Sequence, residues 1–331
     1  MRLLVYEWCT SGGLAGGQAA IAAEGLMMVE ALAADAAKDP GLELAVLVED
    51  GRGCALPVGV RRLPVPPGDE VAALVAAAAR EAEWTLVVAP ESEGILCERV
   101  RIVRSAGGRV LAPSAAVLAL ATDKQATIDA LAGRGLPVPA GRSLAGGEAI
   151  PAGFRLPAVR KARSGCGCEE LVIVRTRHSP PAVVPTRLEA LAEGTPVGVS
   201  VLCGPRATIA LPVMQQEFSG SESLSFRGGR PLTNDTAAAR ATDLALRAAA
   251  AVGVDAGWLG IDMILGPRPD GRGDRILEIN PRLTTSFVGQ ARLFASSLVR
   301  AMIEAASGGL PRLEPARDRA PDRGSFSVTG G

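Results

Sequence analysis

Apolar residues arrive along the first third of the chain in short bursts. Residues 2–6 (RLLVY), 43–48 (ELAVLV) and 85–89 (TLVVA) have the length and composition of buried strands. Between them, alanine-rich stretches around 18–38 and 71–83 carry apolar residues at helical spacing. This alternation predicts a βαβαβ layout, hence a parallel sheet with helices on both faces and a ligand crevice beyond the carboxyl ends of its strands. The glycine-rich loop 7–17 falls at that place. Its glycines lack the spacing of a dinucleotide fingerprint, so it reads either as a substrate loop or as a flexible turn feeding the helix that starts near Gln18.

Past residue 112 the pattern changes. Ser114 is placed to cap a helix reaching about Ala121, and Asp123 a second reaching about Gly133, after which Leu136-Pro-Val-Pro139 imposes extended chain. Strand patterns follow at 157–161, 170–176, 196–202 and 207–214, as two hairpins either side of a proline-rich link at 179–185. A helix at 235–252, strands at 257–265 and 275–279 across the turn 266–271, and a helix at 285–306 complete the series. After residue 308 the chain is rich in Pro, Arg and Asp without apolar periodicity, and disorder is expected. The reading is therefore α/β, becoming α+β in the catalytic part, divided at 1–112, 113–190, 191–308 and 309–331. No internal repeat is seen.

A chain of 331 residues exceeds what one core serves, so a cleft between lobes is expected. Lys plus Arg equals Asp plus Glu at 35 each, which gives no net field for nucleic acid or an anionic membrane. No apolar run approaches the roughly 20 residues that span a bilayer, and Met1 to Glu7 lacks the features of an export signal. A cytoplasmic protein acting on small molecules is expected. The six cysteines are scattered, which points to reduced thiols. Cys166 and Cys168 form the only close pair and His178 is the only histidine, a poor zinc set, so the pair reads as small residues in a glycine loop.

The chemistry concentrates near the end of the strand pair 257–265 and 275–279. Asp262 lies within an apolar run, where an unpaired carboxylate is costly, and Glu278 and Asn280 stand two apart, hence on one face. Such oxygen donors suit Mg²⁺ shared with phosphate; the competing reading is a solvated hairpin edge. Arg282 follows with a forked guanidinium suited to phosphate or carboxylate. Lysine has nearly been displaced by arginine: only Lys38, Lys124 and Lys161 remain. Lys161 is expected at a strand end leading into Ser164-Gly165-Cys166-Gly167-Cys168, a loop whose backbone N–H groups can cradle phosphate.

On these ordered motifs the chain resembles the ATP-grasp superfamily over roughly residues 113–300. The resemblance implies an ATP-grasp fold behind an N-terminal Rossmann-like parallel-sheet domain. It matches Asp123-Lys124 to the first nucleotide lysine, Val159-Arg-Lys161 with Gly165 and Gly167 to the second lysine and the lid, and Asp262, Glu278 and Asn280 to ligands of Mg²⁺ or Mn²⁺. Glu189-Ala-Leu-Ala192 resembles the hinge that meets adenine through its backbone, which brings Glu189 and Leu191 to the nucleotide. Pro196 stands where many relatives have a ribose-binding glutamate, with Glu193 as the nearby substitute. The implied activity joins a small-molecule carboxylate to an amine at the expense of ATP through an acylphosphate, with Lys161 and Arg282 as catalytic groups, and the resemblance allows a homodimer.

More narrowly, the stretch from Glu278 to Gly289 and Ser225-Phe-Arg-Gly-Gly229 are similar to the tyramine-glutamate ligase group. That implies glutamate and tyramine or a related amine as substrates, in making one-carbon carriers of the methanofuran, methylofuran or tetrahydromethanopterin type. Residues 7–17 and 215–229 would line the acceptor side. Two alternatives remain: an ATP-grasp kinase that phosphorylates its substrate or a carrier histidine, for which His178 is the candidate, and a non-catalytic nucleotide-binding module. A nicotinamide enzyme is disfavoured by the missing fingerprint.

Overall fold

In the computed structural model, which describes residues 1–14, 19–67, 71–165, 171–317, 320 and 322–328, the first apolar bursts become strands of a parallel sheet. The elements are β1 (Arg2–Glu7), α1 (Ala19–Ala36), β2 (Glu43–Glu49), β3 (Arg61–Val65), α2 (Val71–Glu81), β4 (Trp84–Val88) and α3 (Ile95–Ser105). The strand order is β3-β2-β1-β4. β4 is buried along its whole length, as a strand covered on both faces must be. β3 is not foreseen in the sequence because Arg61, Arg62 and Pro64 occupy most of it; an edge strand tolerates both charge and proline. The order reverses between β1 and β4, so their following loops diverge and open a crevice there.

The caps read from the sequence hold. Ser114 Oγ accepts from Val117 N–H at the start of α4 (Ala115–Thr122), and Asp123 accepts from Gln125 and Ala126 N–H at the start of α5 (Lys124–Gly133). A four-stranded antiparallel sheet follows, made of β5 (Gly141–Leu144), β6 (Ala158–Ala162), β7 (Val172–Val174) and β8 (Thr186–Ala190) in the order β5-β8-β6-β7. Lys161 is the last residue but one of β6, close to the expected strand end.

The largest sheet comprises β9 (Thr195–Cys203), β10 (Thr208–Ala210), β11 (Met214–Ser219), β12 (Ser225–Pro231) and, after α6 (Asp235–Val252), β13 (Gly257–Leu265) and β14 (Arg275–Asn280). Its order is β14-β13-β9-β11-β12, with β10 beside β9. Asn234 caps α6 and Gly253 ends it in the left-handed region, which glycine enters at little cost.

The expected helix at 285–306 is instead broken into α7 (Phe287–Gln290), a tight turn at Ala291–Leu293 and α8 (Leu298–Ala306). Two serines cause the break: Ser297 Oγ caps α8 at Arg300 N–H, and Ser296 Oγ accepts from Glu314 N–H. The last segment, expected to be disordered, supplies β15 (Phe326–Ser327), which pairs with Gly228 and Gly229 of β12. Phe326 is buried against Phe226, ring centroids 6.2 Å apart. One aromatic residue outweighs the polar average of the tail.

The N-terminal sheet and the large sheet share one apolar cluster, in which Val29 and Leu32 of α1 meet Val299 and Met302 of α8. Asp35 accepts from Ser297 Oγ and Val299 N–H, and Lys38 donates to the carbonyls of Ala291 and Phe294. In the same cluster Trp258 packs edge-on against Phe287, centroids 5.7 Å apart.

Candidate active site

β13 and β14 pair so that Asp262 lies opposite Glu278 and Gly260 opposite Asn280. Asp262 Oδ1 accepts from Gln216 Nε2 at 2.7 Å, and its Oδ2 accepts from Asn280 Nδ2 at 2.9 Å. Burial, with the Glu278 charge opposite, pushes the Asp262 carboxyl up to about 7. On the neighbouring strand Gly198 faces Asp262; a Cβ there would come within 3.2 Å of Gln216 Nε2 and 3.3 Å of Asp262 Oδ1, so glycine leaves these groups room.

Glu278 behaves oppositely. Burial works to raise its pKa, but the ammonium groups of Lys124 and Lys161 and the Arg282 guanidinium outweigh it and hold the carboxyl below its ordinary range. Lys124 Nζ lies 3.5 Å from Glu278 Oε2 and donates to Gly165 O at 2.8 Å, which ties α5 to the loop after β6. Lys161 Nζ lies 2.9 Å from Glu189 Oε1 and donates to Leu277 O at 2.9 Å, joining the small sheet to β14.

Glu189 is almost fully buried and pairs on its other side with Arg187, Nε to Oε2 at 2.9 Å. Arg187 in turn donates to Gln125 Oε1 at 2.6 Å and Pro139 O at 2.9 Å. The Glu189 side chain thus supports Lys161. Arg187 and Gln125 were not legible as partners, since 62 residues separate them.

These groups surround a cavity of about 400 Å³ between the small and large sheets. Of the residues singled out by sequence, Lys124, Lys161, Gly165, Glu189, Leu191, Asp262, Glu278, Asn280 and Arg282 line it. Pro196 also lines it, whereas Glu193 is exposed and does not, so the substitution of Glu193 for a ribose contact gains no support. Gly167, Cys166 and Cys168 lie outside the described residues, as do residues 15–17 of the first glycine loop. The described part of that loop is not in the cavity wall: Glu7 is buried and folds the loop onto itself, accepting from Cys9 N–H and from Thr10 N–H and Oγ1. The segment 215–229 does reach the wall through Gln216, Phe218, Leu224 and Phe226. His178 is exposed and outside the wall.

Two acids from the N-terminal domain were missed. Glu91, buried just after β4 at the switch point, pairs with Arg282 Nε at 2.9 Å. Glu24 on α1 accepts from Thr285 Oγ1 at 2.9 Å and lines the cavity. The available signal for Glu24 was its place as the first of three acids in an alanine-rich helix directly after the first strand and loop.

Among the described residues no group of three His, Cys, Asp or Glu side chains could hold a metal by itself. Two carboxylates and an amide whose Nδ2 is committed to Asp262, leaving Oδ1 for a ligand, form a partial oxygen set. Such a set fits Mg²⁺ or Mn²⁺, with phosphate and water oxygens completing the shell. Cys54, Cys97 and Cys203 are free thiols. No helix among the described residues is long and apolar enough to cross a membrane.

A family profile described as the ATP-grasp domain matches residues 121–286, half of the chain. The chain belongs to the ATP-grasp family. A second profile, described as the pre ATP-grasp 3 domain, matches residues 45–117 of this ATP-grasp protein. No curated protein sequence matches it. Solved structures of similar fold include an ATP-grasp superfamily protein from Archaeoglobus fulgidus, 20% identical, with TM-score 0.71, covering 94% of this chain and 89% of the other. N5-carboxyaminoimidazole ribonucleotide synthetase from Thermotoga maritima is 19% identical, with TM-score 0.63 and coverage of 94% and 76%. An L-amino acid ligase from Bacillus licheniformis is 15% identical, with TM-score 0.67 and coverage of 93% and 75%. At these identities the likeness is one of fold, and the chemistry rests on the ATP-grasp chain's own residues.

Proposed function

We propose that this ATP-grasp protein is an ATP-dependent carboxylate–amine ligase. The observation that carries the reading is the juxtaposition of Asp262, Glu278 and Asn280 with Lys124, Lys161 and Arg282 around one cavity between two sheets. Phosphoryl transfer demands positioning and charge neutralisation more than covalent help from the protein, and this cluster supplies both. When bound, Mg²⁺ or Mn²⁺ at Asp262, Glu278 and Asn280 would neutralise charge on the phosphates.

Lys124 and Lys161 are the groups for the nucleotide phosphates, with Gly165 on the lid. The backbone of 189–192, including Leu191, lies where adenine would meet it. Arg282, oriented by Glu91, is the group for the substrate carboxylate and its acylphosphate. A carboxylate oxygen attacks the γ-phosphorus and ADP leaves; the neutral amine nitrogen then forms the C–N bond as the acyl C–O bond to phosphate breaks, and the protons lost by nitrogen pass to phosphate and solvent. Inorganic phosphate and an amide result.

Glutamate as the acid and tyramine or a similar amine as the acceptor form the finer part of the proposal, in making a one-carbon carrier. The resemblance of residues 278–289 and 225–229 supports it, as does the apolar wall of Phe218, Leu224 and Phe226 beside the polar one. The test is incubation with Mg²⁺, ATP and pooled carboxylates and amines, followed by mass spectrometry. An amide formed one for one with ADP is expected. A stable phosphorylated product would instead mark a kinase, and no ADP from any pair a binding module.

A further inference from the structure

One acid in the cavity wall has no part in the chemistry above. Glu24 belongs to the N-terminal domain, yet its side chain reaches the same cavity as Arg282, Thr284 and Ser286. Among the described residues Thr285 Oγ1 is its hydrogen-bond donor, to Oε2 at 2.9 Å, and no basic side chain lies within ion-pairing distance of it. The nearest candidate cation, Arg282, is engaged by Glu91 at 2.9 Å. Burial raises the Glu24 pKa, and the Thr285 hydrogen bond and the Arg282 charge only partly counter it.

A half-buried carboxylate beside a cavity is costly unless a cation meets it. Lysines and metal ligands serve the phosphate end: Lys124 and Lys161 sit at Glu278 and Leu277, on the β14 side. At Glu24 itself the wall offers the Thr285 hydroxyl, an acceptor as well as a donor. A carboxylate in the cavity wall that takes one hydroxyl hydrogen bond and no ion pair among the described residues matches a group with several N–H donors and one positive charge. That is a primary ammonium.

We propose that Glu24 anchors the ammonium group of the amine substrate and accepts the proton that its nitrogen must shed before it attacks, so that the N-terminal domain selects the nucleophile by its charge. The name of the occupant as substrate rests on the ligase reading; the cation preference of the subsite does not. Glu24→Gln is the informative change, because the amide oxygen still accepts from Thr285 while the charge is gone.

The test is ligand-observed NMR on the full-length protein at pH 7 with n-butylamine and n-butanol, which share shape and differ in charge. Wild type should prefer the amine by roughly tenfold or more, the scale of one charge-assisted hydrogen bond. Glu24→Gln should lose that preference, Glu24→Asp should recover part of it, and Thr285→Val, which keeps the carboxylate, should retain it. Should the glutamine variant not fold, Glu24→Ala is expected to show the same loss. Equal affinity of wild type for both probes, or an undiminished preference in Glu24→Gln, overturns the proposal. Amine preference without amide formation from any substrate pair would sink the ligase reading alone; amide formation with an unchanged amine KM in Glu24→Gln would sink the anchor alone.

Discussion

Asp262 and Glu278 are direct register partners across the antiparallel β13–β14 pair, two carboxylates on facing positions of adjacent strands. Like charges so placed repel, and the arrangement persists because the surroundings treat the two acids differently. Lys124, Lys161 and Arg282 keep Glu278 ionised, while burial and the Glu278 charge hold the proton on Asp262 up to about 7 against the hydrogen bonds it accepts from Gln216 and Asn280. A divalent cation between them would remove the repulsion.

This asymmetry sets a pH dependence. Asp262 binds its proton more tightly folded than unfolded, so without divalent cation its ionisation costs stability as pH rises from about 4 to about 7. Glu278, with its folded pKa depressed, contributes stability present above its ordinary value near 4.5 and lost as pH falls below it. Metal-free protein should therefore melt at higher temperature at about pH 5 than at about pH 7.5, and Mg²⁺ should raise the melting temperature more at the higher pH. Calorimetry with and without EDTA checks this; a stability that climbs steadily from pH 5 to 7.5 without metal would contradict it.

Glu189 neutralises two buried cations at once. Replacing it by leucine leaves Lys161 and Arg187 inside the protein without their shared counter-charge, at a cost of about 3–5 kcal/mol. Urea unfolding measures the loss. A change below about 1 kcal/mol would mean that the triad is not buried as described.

Phe326 docks the last strand onto β12 and the Phe226 ring. Phe326→Ala should destabilise by about 3 kcal/mol, the lower part of the range for a buried phenylalanine. Limited proteolysis should also cut between residues 309 and 328 faster in the variant. Identical cleavage and unfolding curves would show the tail undocked.

Much of the fold was legible because local signals agreed with it. Ser114 and Asp123 announce their helices by their own side chains, and β1, β2 and β4 are continuous apolar runs that only a covered parallel sheet accommodates. The three lysines stood out against arginine, and each proves to have a defined place: Lys38 on the carbonyls of Ala291 and Phe294, Lys124 and Lys161 in the cavity wall. What escaped reading depends on distant partners. Glu24 and Glu91 acquire meaning only from Thr285 and Arg282, some two hundred residues away in sequence. β3, β5 and β8 carry too many polar residues to read as strands before their neighbours are known, and the 285–306 helix was broken at Ser296 and Ser297, whose partners Glu314 and Asp35 lie outside that stretch.

The most direct test of the account is ADP release from Mg²⁺ and ATP, with pooled carboxylates and amines, by wild type and by Glu278→Gln. The variant keeps the shape of the side chain but removes the charge that Lys124 approaches at 3.5 Å and that faces Asp262. A fall in turnover of about a hundredfold or more, with the fold intact by circular dichroism, is the predicted result, the scale of losing one electrostatic support of a charged transition state. Undiminished ADP release by Glu278→Gln would contradict the assignment of this strand pair as the site of ATP chemistry.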